Sequence, residues 1–274
     1  MRKRKLFCEW HPVCYRISVA KCRFVRHIQN RLSGSKLANA KTKTGLPVVL
    51  YEHKSLIRRK LGNVDLQLQE NKAVNLGIAA PKVTEILIRP GETFSFWYLV
   101  GKTSKRKGYR EGLTISNGKT TAGIGGGLCQ FTNLLHFMVL HSPLTIVERH
   151  HHDRYDLFPD FGRQVPFGIG TSIMYNYLDY RFRNDTNQTF QILVWVTDTY
   201  LCGQLRCEEE LKKSYHIICE DERFVREADG IYRTGKVYRT VYDKQSGNLE
   251  KKELLQQNHA KVMYEYSGEI TESC

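Results

Sequence analysis

Long apolar runs are missing from this chain of 274 residues; the longest, such as Phe137 to Leu140, extend only a few positions. A helix crossing a bilayer needs eighteen or more, so an integral helical membrane protein is not expected. A secretory leader is also missing. Met1-Arg2-Lys3-Arg4-Lys5 looks like a basic n-region, but Cys8 to Val25 is interrupted by Glu9, His11, Arg16, Lys21 and Arg23, and no apolar h-region follows. The expected location is cytoplasmic. Cysteine is sparse for the length, eight residues at positions 8, 14, 22, 129, 202, 207, 219 and 274, which is no disulfide framework of a small secreted domain. Several catalytic signatures are absent too. No G-x-S-x-G elbow and no Walker loop occurs, and Gly168-Ile169-Gly170 fails as a dinucleotide fingerprint because Ile173 stands where the third glycine belongs. No cofactor is called for, and the sequence sets no oligomeric state.

What is present begins with charge. The chain holds 42 Lys and Arg against 28 Asp and Glu, a net +14. Residues 1–60 contain 16 of the bases and two acids, Glu9 and Glu52, and so carry all of the excess. A basic arm therefore precedes a neutral body. Within the arm, Val13, Ile17, Ala20, Phe24 and Ile28 recur at helical spacing while most arginines fall elsewhere on the wheel. Two readings stay open: a basic amphipathic helix for an anionic membrane surface, using residues 1–40, or a helix packed on the body with a solvated basic face. Nucleic acid is not expected, since no zinc-finger spacing, RNP-type strand or basic zipper accompanies the charge.

A Ser, Gly, Lys, Asn and Thr-rich stretch, 33–44, ends the arm, so the division is 1–45 for arm and linker and 46–274 for the body. Apolar residues make up 41% of the chain, enough for a core. A helix ending near Ala80 at Pro81, strands over 84–88, 113–116 and 145–149, and an Asn117-Gly118 turn lead through the first half. Leu178, Tyr180 and Phe182 alternate with charged residues as in a half-buried strand, and Phe190 to Thr197, Tyr215 to Cys219 and Gly235 to Tyr242 read as strands. The expected fold is α+β, a mixed, strand-rich single domain in which a glycine loop leads into a buried helix.

That loop carries the chemistry. Gly125-Gly126-Gly127 permits positive φ and close approach of a backbone or substrate, and Leu128 to His141 follows with an apolar stripe of Phe131, Leu134, Leu135, Met138 and Val139. Cys129 thus falls in the first turn of a buried helix, where the dipole and unpaired N–H groups favour a thiolate and can hold an oxyanion. A partner histidine would come from Glu148-Arg149-His150-His151-His152-Asp153: in an extended run His150 and His152 share a face and His151 points away, with Glu148 or Asp153 as orienting carboxylates. The alternatives are an inert buried cysteine, or a zinc site at the histidines with Cys129 or the Cys202 and Cys207 pair. Trp97, Tyr98 and Phe94 line a ligand groove or, more in keeping with aromatics, a core.

Gly91-Glu92-Thr93-Phe94-Ser95-Phe96, Gly108-Tyr109, Asn117-Gly118-Lys119, Gly123 to Gln130 and Ile146 to His150 together resemble the VanW family, in order and spacing over roughly 84–185. With Phe96-Trp97 and His141-Ser142-Pro143-Leu144-Thr145, the version here looks closest to the stand-alone members from B-type vancomycin-resistance clusters. The resemblance implies a motif core over 84–185 and a strand-rich part over 186–274. It also implies an accessory role in glycopeptide resistance, and related domains imply L,D-transpeptidase chemistry on peptidoglycan stem peptides through a cysteine acyl-enzyme. Carried over, Cys129 is the nucleophile and His150 and His152 assist it; from the loop's own chemistry Gly125, Gly126, Gly127 and Gln130 are expected to border substrate or oxyanion. The expected partner is a peptidoglycan precursor or stem peptide. Two departures stand out: Asp153 where the family has serine, and Gly170-Thr171-Ser172 where many members have Asp-Ala-Thr.

Overall fold

The computed structural model describes every residue except 1–5, 60–64, 117–118, 152–153, 161, 163 and 273–274. His152, Asp153 and the Asn117-Gly118 turn lie outside the described residues. The first half comprises α1 (Pro12–Leu32), β1 (Val48–Leu56), α2 (Leu66–Val83), β2 (Ile86–Ile88), β3 (Thr93–Ser95), α3 (Phe96–Val100), β4 (Glu111–Ser116), β5 (Lys119–Ile124) and α4 (Cys129–Leu140). The second is nearly all strand: β6 (Thr145–Glu148), β7 (Tyr155–Asp156), β8 (Arg181–Arg183), β9 (Phe190–Val196), β10 (Tyr200–Cys207), β11 (Lys213–Glu227), β12 (Gly230–Asp243), β13 (Leu249–Val262) and β14 (Thr271–Glu272). This is the strand-rich α+β arrangement expected.

An antiparallel sheet in the order β1-β10-β9-β2 forms the centre. Phe190, Ile192 and Val194 alternate inward from β9, and Leu201 and Leu205 from its neighbour β10. Against the sheet pack α2, through Leu76, Ala79 and Val83, and α4, through Phe131, Leu134, Leu135 and Met138. Each large apolar side chain, fully buried, contributes roughly 1.5–3 kcal/mol. A smaller sheet, β3-β8-β6, carries the stacked rings of Phe94 and Phe182, 4.7 Å apart. The long antiparallel strands β11, β12 and β13 build a third sheet, fixed to the body by Arg233 of β12, which bonds Asp156, Asp160 and Glu222 and lies 4.4 Å from the Phe167 ring.

Three local expectations change. The helix α2 runs past Pro81 to Val83, because buried Ala79, Ala80 and Val83 hold its last turn in place although proline contributes no N–H. Cys202, Gly203 and Cys207, which read from the sequence as a strand-turn-strand element, sit in one strand, β10, with both cysteines buried. The helix α1 forms where its periodicity says, with Pro12 in its first turn, but it is turned over. Val13, Ile17, Phe24 and Ile28 face outward, Phe24 66% exposed, while Arg23, Arg26 and Asn30 face the body. Arg23 Nε donates to the Tyr175 carbonyl at 3.1 Å and Arg181 to Asn30 Oδ1 at 2.8 Å, so polar bonds hold this helix.

Candidate functional site

The glycine loop is shaped by its own chain. A Cβ on Gly126 would lie 2.1 Å from the carbonyl oxygen of Gly112 in β4, so the two backbones touch there and neither position admits a side chain. At Gly127, with φ of +89°, an added Cβ would meet the Lys72 side chain at 2.3 Å. The loop is pinned by Asn75 of α2, whose amide donates to the carbonyls of Gly126 (2.9 Å) and Arg110 (3.0 Å) while its oxygen accepts from Arg110 N. Close approach, foreseen for a backbone or a substrate, is met here by the chain itself.

Beyond this loop α4 begins at Cys129, and beside it lies a cavity of about 610 Å³. Its walls include the loop with Gly125, Gly126 and Gly127; the buried face of α2 with Gln69 and Lys72; β4 and β5, through Leu113 and Ile124; the segment 170–175; and α1, through Tyr15 and Arg23. Trp97 also borders it, its indole N–H donating to the Leu178 carbonyl at 2.9 Å, whereas Phe94 is buried in the core and Tyr98 is exposed. The segment 170–173 is laid along the first turn of α4 by hydrogen bonds from Thr171 N to Asn133 Oδ1 (2.7 Å) and between the hydroxyls of Thr132 and Thr171 (2.6 Å).

The electrostatics of Cys129 differ from the bare helix-dipole expectation. Burial pushes its thiol up, against the N–H groups of Ile173 and of Cys129 itself, which favour the thiolate. Of the nearby backbone donors, Gly125 N is committed to the Arg110 carbonyl, Gly126 N to Gly123 and Gln130 N to Gly127. Among the described residues, the N–H groups of Gly127 and Leu128 keep no such partner. The Gln130 side chain reaches the cavity, yet its amide nitrogen donates to Ser55 Oγ (2.9 Å) and the Leu56 carbonyl (2.8 Å), which ties α4 to the end of β1.

His150 is turned toward Glu148, Nε2 to Oε1 at 3.0 Å. Glu148, mostly buried, also accepts from Asp179 N at 2.9 Å and pairs with Arg26 of α1 and with Arg181. Burial, the largest single effect, acts upward on its carboxyl, but these partners together hold it below the usual range. The His150 carbonyl accepts from Ser172 N at 2.7 Å, one residue from the Ile173 N–H that faces the Cys129 thiol. The ring of His151 lies against Gly170, where an added Cβ would be 3.1 Å from its Cε1; Gly170 borders the cavity, whereas neither His150 nor His151 lines it. Among the described residues no group of three or more His, Cys, Asp and Glu is arranged to hold a metal ion.

Sequence reasoning passed over Asp179, Lys72 and Gln69. Asp179 accepts from Ser95 Oγ (2.5 Å), Trp97 N (3.0 Å), Tyr180 N (2.9 Å) and Arg181 Nε (2.8 Å), and so fixes the aromatic wall. Its place between Leu178 and Tyr180 in the alternating strand marked it as solvent-facing. Lys72 is 7% exposed; burial, then the positive charges of Arg59 and Arg58, lower its amine from 10.5 to about 7.

A loop pinned beneath a helix N-terminal thiol, and walled by a polar helix face, belongs in this chain to a member of the VanW family: the family model, described as VanW like protein, matches residues 71–206, which include the loop, Lys72 and the segment 170–175 but not Gln69 or α1. More particularly, the chain is 34% identical over 261 residues to the vancomycin B-type resistance protein VanW of Enterococcus faecalis (strain ATCC 700802 / V583), covering 95% of this chain and 94% of that one. It is also 32% identical over 123 residues, 45% of this chain and 39% of the relative, to the uncharacterized protein YoaR of Bacillus subtilis (strain 168). No solved structure matches the chain.

Proposed function

We propose that this chain is an accessory protein of glycopeptide resistance and cell-wall metabolism, and that the cavity receives a peptidoglycan stem peptide with Cys129 as acyl nucleophile. The observation that carries the reading is the position of Cys129, in the first turn of α4 on the wall of a cavity large enough for a short peptide. In this reaction the sulfur attacks a peptide carbonyl, the oxyanion lies against the N–H groups of Gly127 and Leu128, and the thiol proton passes to the departing amine. An acceptor amine then displaces the thioester, forming the new amide and returning a proton to sulfur. His150, oriented by Glu148, or His152 supplies the proton shuttle.

A second reading, binding without chemistry, is favoured by the upward push of burial on the thiol. Intact-mass measurement after incubation with a stem tetrapeptide separates the two. A thioester adduct on the wild type that is absent from Cys129→Ala supports catalysis; undiminished binding by Cys129→Ala and His150→Ala, with no adduct on either protein, supports the binding reading.

We also propose that α1 rests on an anionic membrane surface, at the inner membrane face. The helix has no acidic residue, and its outward stripe of Val13, Ile17, Phe24 and Ile28 adjoins Trp10, 66% exposed. Apolar insertion beside basic flanks is the pattern of an interfacial helix. An Ile17→Asp, Phe24→Asp double variant, which leaves Arg23 and Arg26 in place, is expected to lose binding to phosphatidylserine vesicles. Unchanged binding refutes the assignment.

A further inference from the structure

Three polar residues of α2, Gln69, Lys72 and Asn75, follow one another at intervals of three and are all buried, so they form one stripe facing the glycine loop. The fold uses two of them. Asn75 completes its hydrogen bonds with the loop, and the methylenes of Lys72 cover Gly127. Gln69 is different: only 2% exposed, it borders the cavity, and among the described residues neither its amide nitrogen nor its amide oxygen has a hydrogen-bond partner. A buried amide unmatched at both ends is uncommon in folded proteins, and its position on a cavity wall points to a partner that arrives from outside.

The adjacent charge narrows the chemistry. Lys72 borders the same cavity, Arg59 does too, and among the described residues no carboxylate pairs with Lys72. The Gln69 amide offers one donor edge and one acceptor, the complement of a peptide group. A phosphate would want a nest of backbone N–H groups, but those of Gly125 and Gly126 are committed to carbonyls and those of Gly127 and Leu128 are taken by the oxyanion in the proposed reaction. A buried ammonium beside a neutral amide instead suits a carboxylate attached to a peptide unit.

We propose that Gln69 and Lys72 form a subsite for the C-terminal end of a peptide, the Lys72 ammonium pairing with the terminal carboxylate and the Gln69 amide with the last peptide group. This rests on the stem-peptide reading of the cavity and specifies which end of the peptide enters. The carboxylate lies beside Gly127, two residues before Cys129, so the bond presented to the thiol is one near the C-terminus.

The test is equilibrium binding of N-acetyl-L-Lys-D-Ala-D-Ala and of its C-terminal amide to the full chain, followed calorimetrically. The acid is expected to bind about tenfold or more tightly than the amide, the usual consequence of one charge-assisted bond. Lys72→Met should bring the acid down to the level of the amide. Gln69→Leu should weaken both peptides several-fold and preserve their ratio. Equal affinity of the two peptides for the unmodified protein overturns the subsite while leaving the stem-peptide reading intact, and this comparison depends on no variant. A ratio unchanged in Lys72→Met, or displacement of the acid peptide by millimolar inorganic phosphate, also overturns it. Binding of neither peptide overturns both the subsite and the reading on which it rests.

Discussion

Replacing Lys72 by methionine should make this protein more stable, and by an amount that depends on pH in a defined way. In the folded chain the amine is lowered to about 7, first by burial and then by Arg59 and Arg58, against about 10.5 in an unfolded chain. That gap of about 3.5 pH units, at about 1.4 kcal/mol each, puts the cost of holding the charge near 5 kcal/mol at most. Below pH 7 the lysine is charged in both states and the whole cost is present. Between pH 7 and 10.5 the unfolded chain still binds a proton that the folded chain has released, so the wild type gains stability as pH rises, and above 10.5 the cost is gone. Methionine keeps Cβ and Cγ over Gly127, sets a thioether sulfur where Cδ stood, and carries no charge. Urea unfolding at pH 6.5 is therefore expected to show Lys72→Met more stable by several kcal/mol, with the difference narrowing by roughly 3 kcal/mol at pH 9.5. A variant less stable than wild type at pH 6.5, or a difference that does not change with pH, refutes the reasoning. With the binding test, this experiment asks whether a destabilising buried cation is retained for a ligand.

Three further outcomes follow from the geometry. Gly126→Ala places a methyl group against the Gly112 carbonyl and should cost about 1–3 kcal/mol by thermal unfolding, whereas Gly77→Ala, with open space around it in the same α2 that pins the loop, should stabilise by about 0.5–1 kcal/mol. Glu148→Gln removes the charge that Arg26, Arg181 and His150 share, so tryptic cleavage within α1 should become several-fold faster while β11 to β13 remain resistant. Because burial raises the Cys129 thiol above its ordinary value, its alkylation by iodoacetamide should be slow at pH 7 and still be climbing at about pH 9, where an unburied thiol is largely ionised; a rate already at its plateau at pH 7 contradicts the burial argument.

Some of this site was legible in the residues alone, and some was not, for reasons specific to each element. The run of Phe131, Leu134, Leu135, Met138 and Val139 announces a buried helix, and the glycines before it announce an unusual loop, since both signals are local and depend only on periodicity and on the absence of a Cβ. The same local logic located α1 and the strands around Phe190 and Val237. Gln69 and Lys72 gave no such signal. Nothing local in Leu66-Gln67-Leu68-Gln69-Glu70-Asn71-Lys72 marks them as buried, and what buries them is packing from residues distant in sequence, the β4–β5 hairpin and the glycine loop.

Amphipathic periodicity determined that residues 12–32 would be helical and that one face would be apolar, because both follow from 3.6 residues per turn. It was silent on which face would meet the body. That was decided by Tyr175, Glu148 and Arg181, between 122 and 152 residues away from their partners Arg23, Arg26 and Asn30. Composition likewise determined that the first 60 residues carry the net charge of +14. Only the tertiary structure divided that charge, directing Arg23 onto the cavity wall and Arg26 onto Glu148 and leaving the apolar stripe outside, because hydrogen bonds and ion pairs form between side chains brought together by the fold and not between neighbours in the chain.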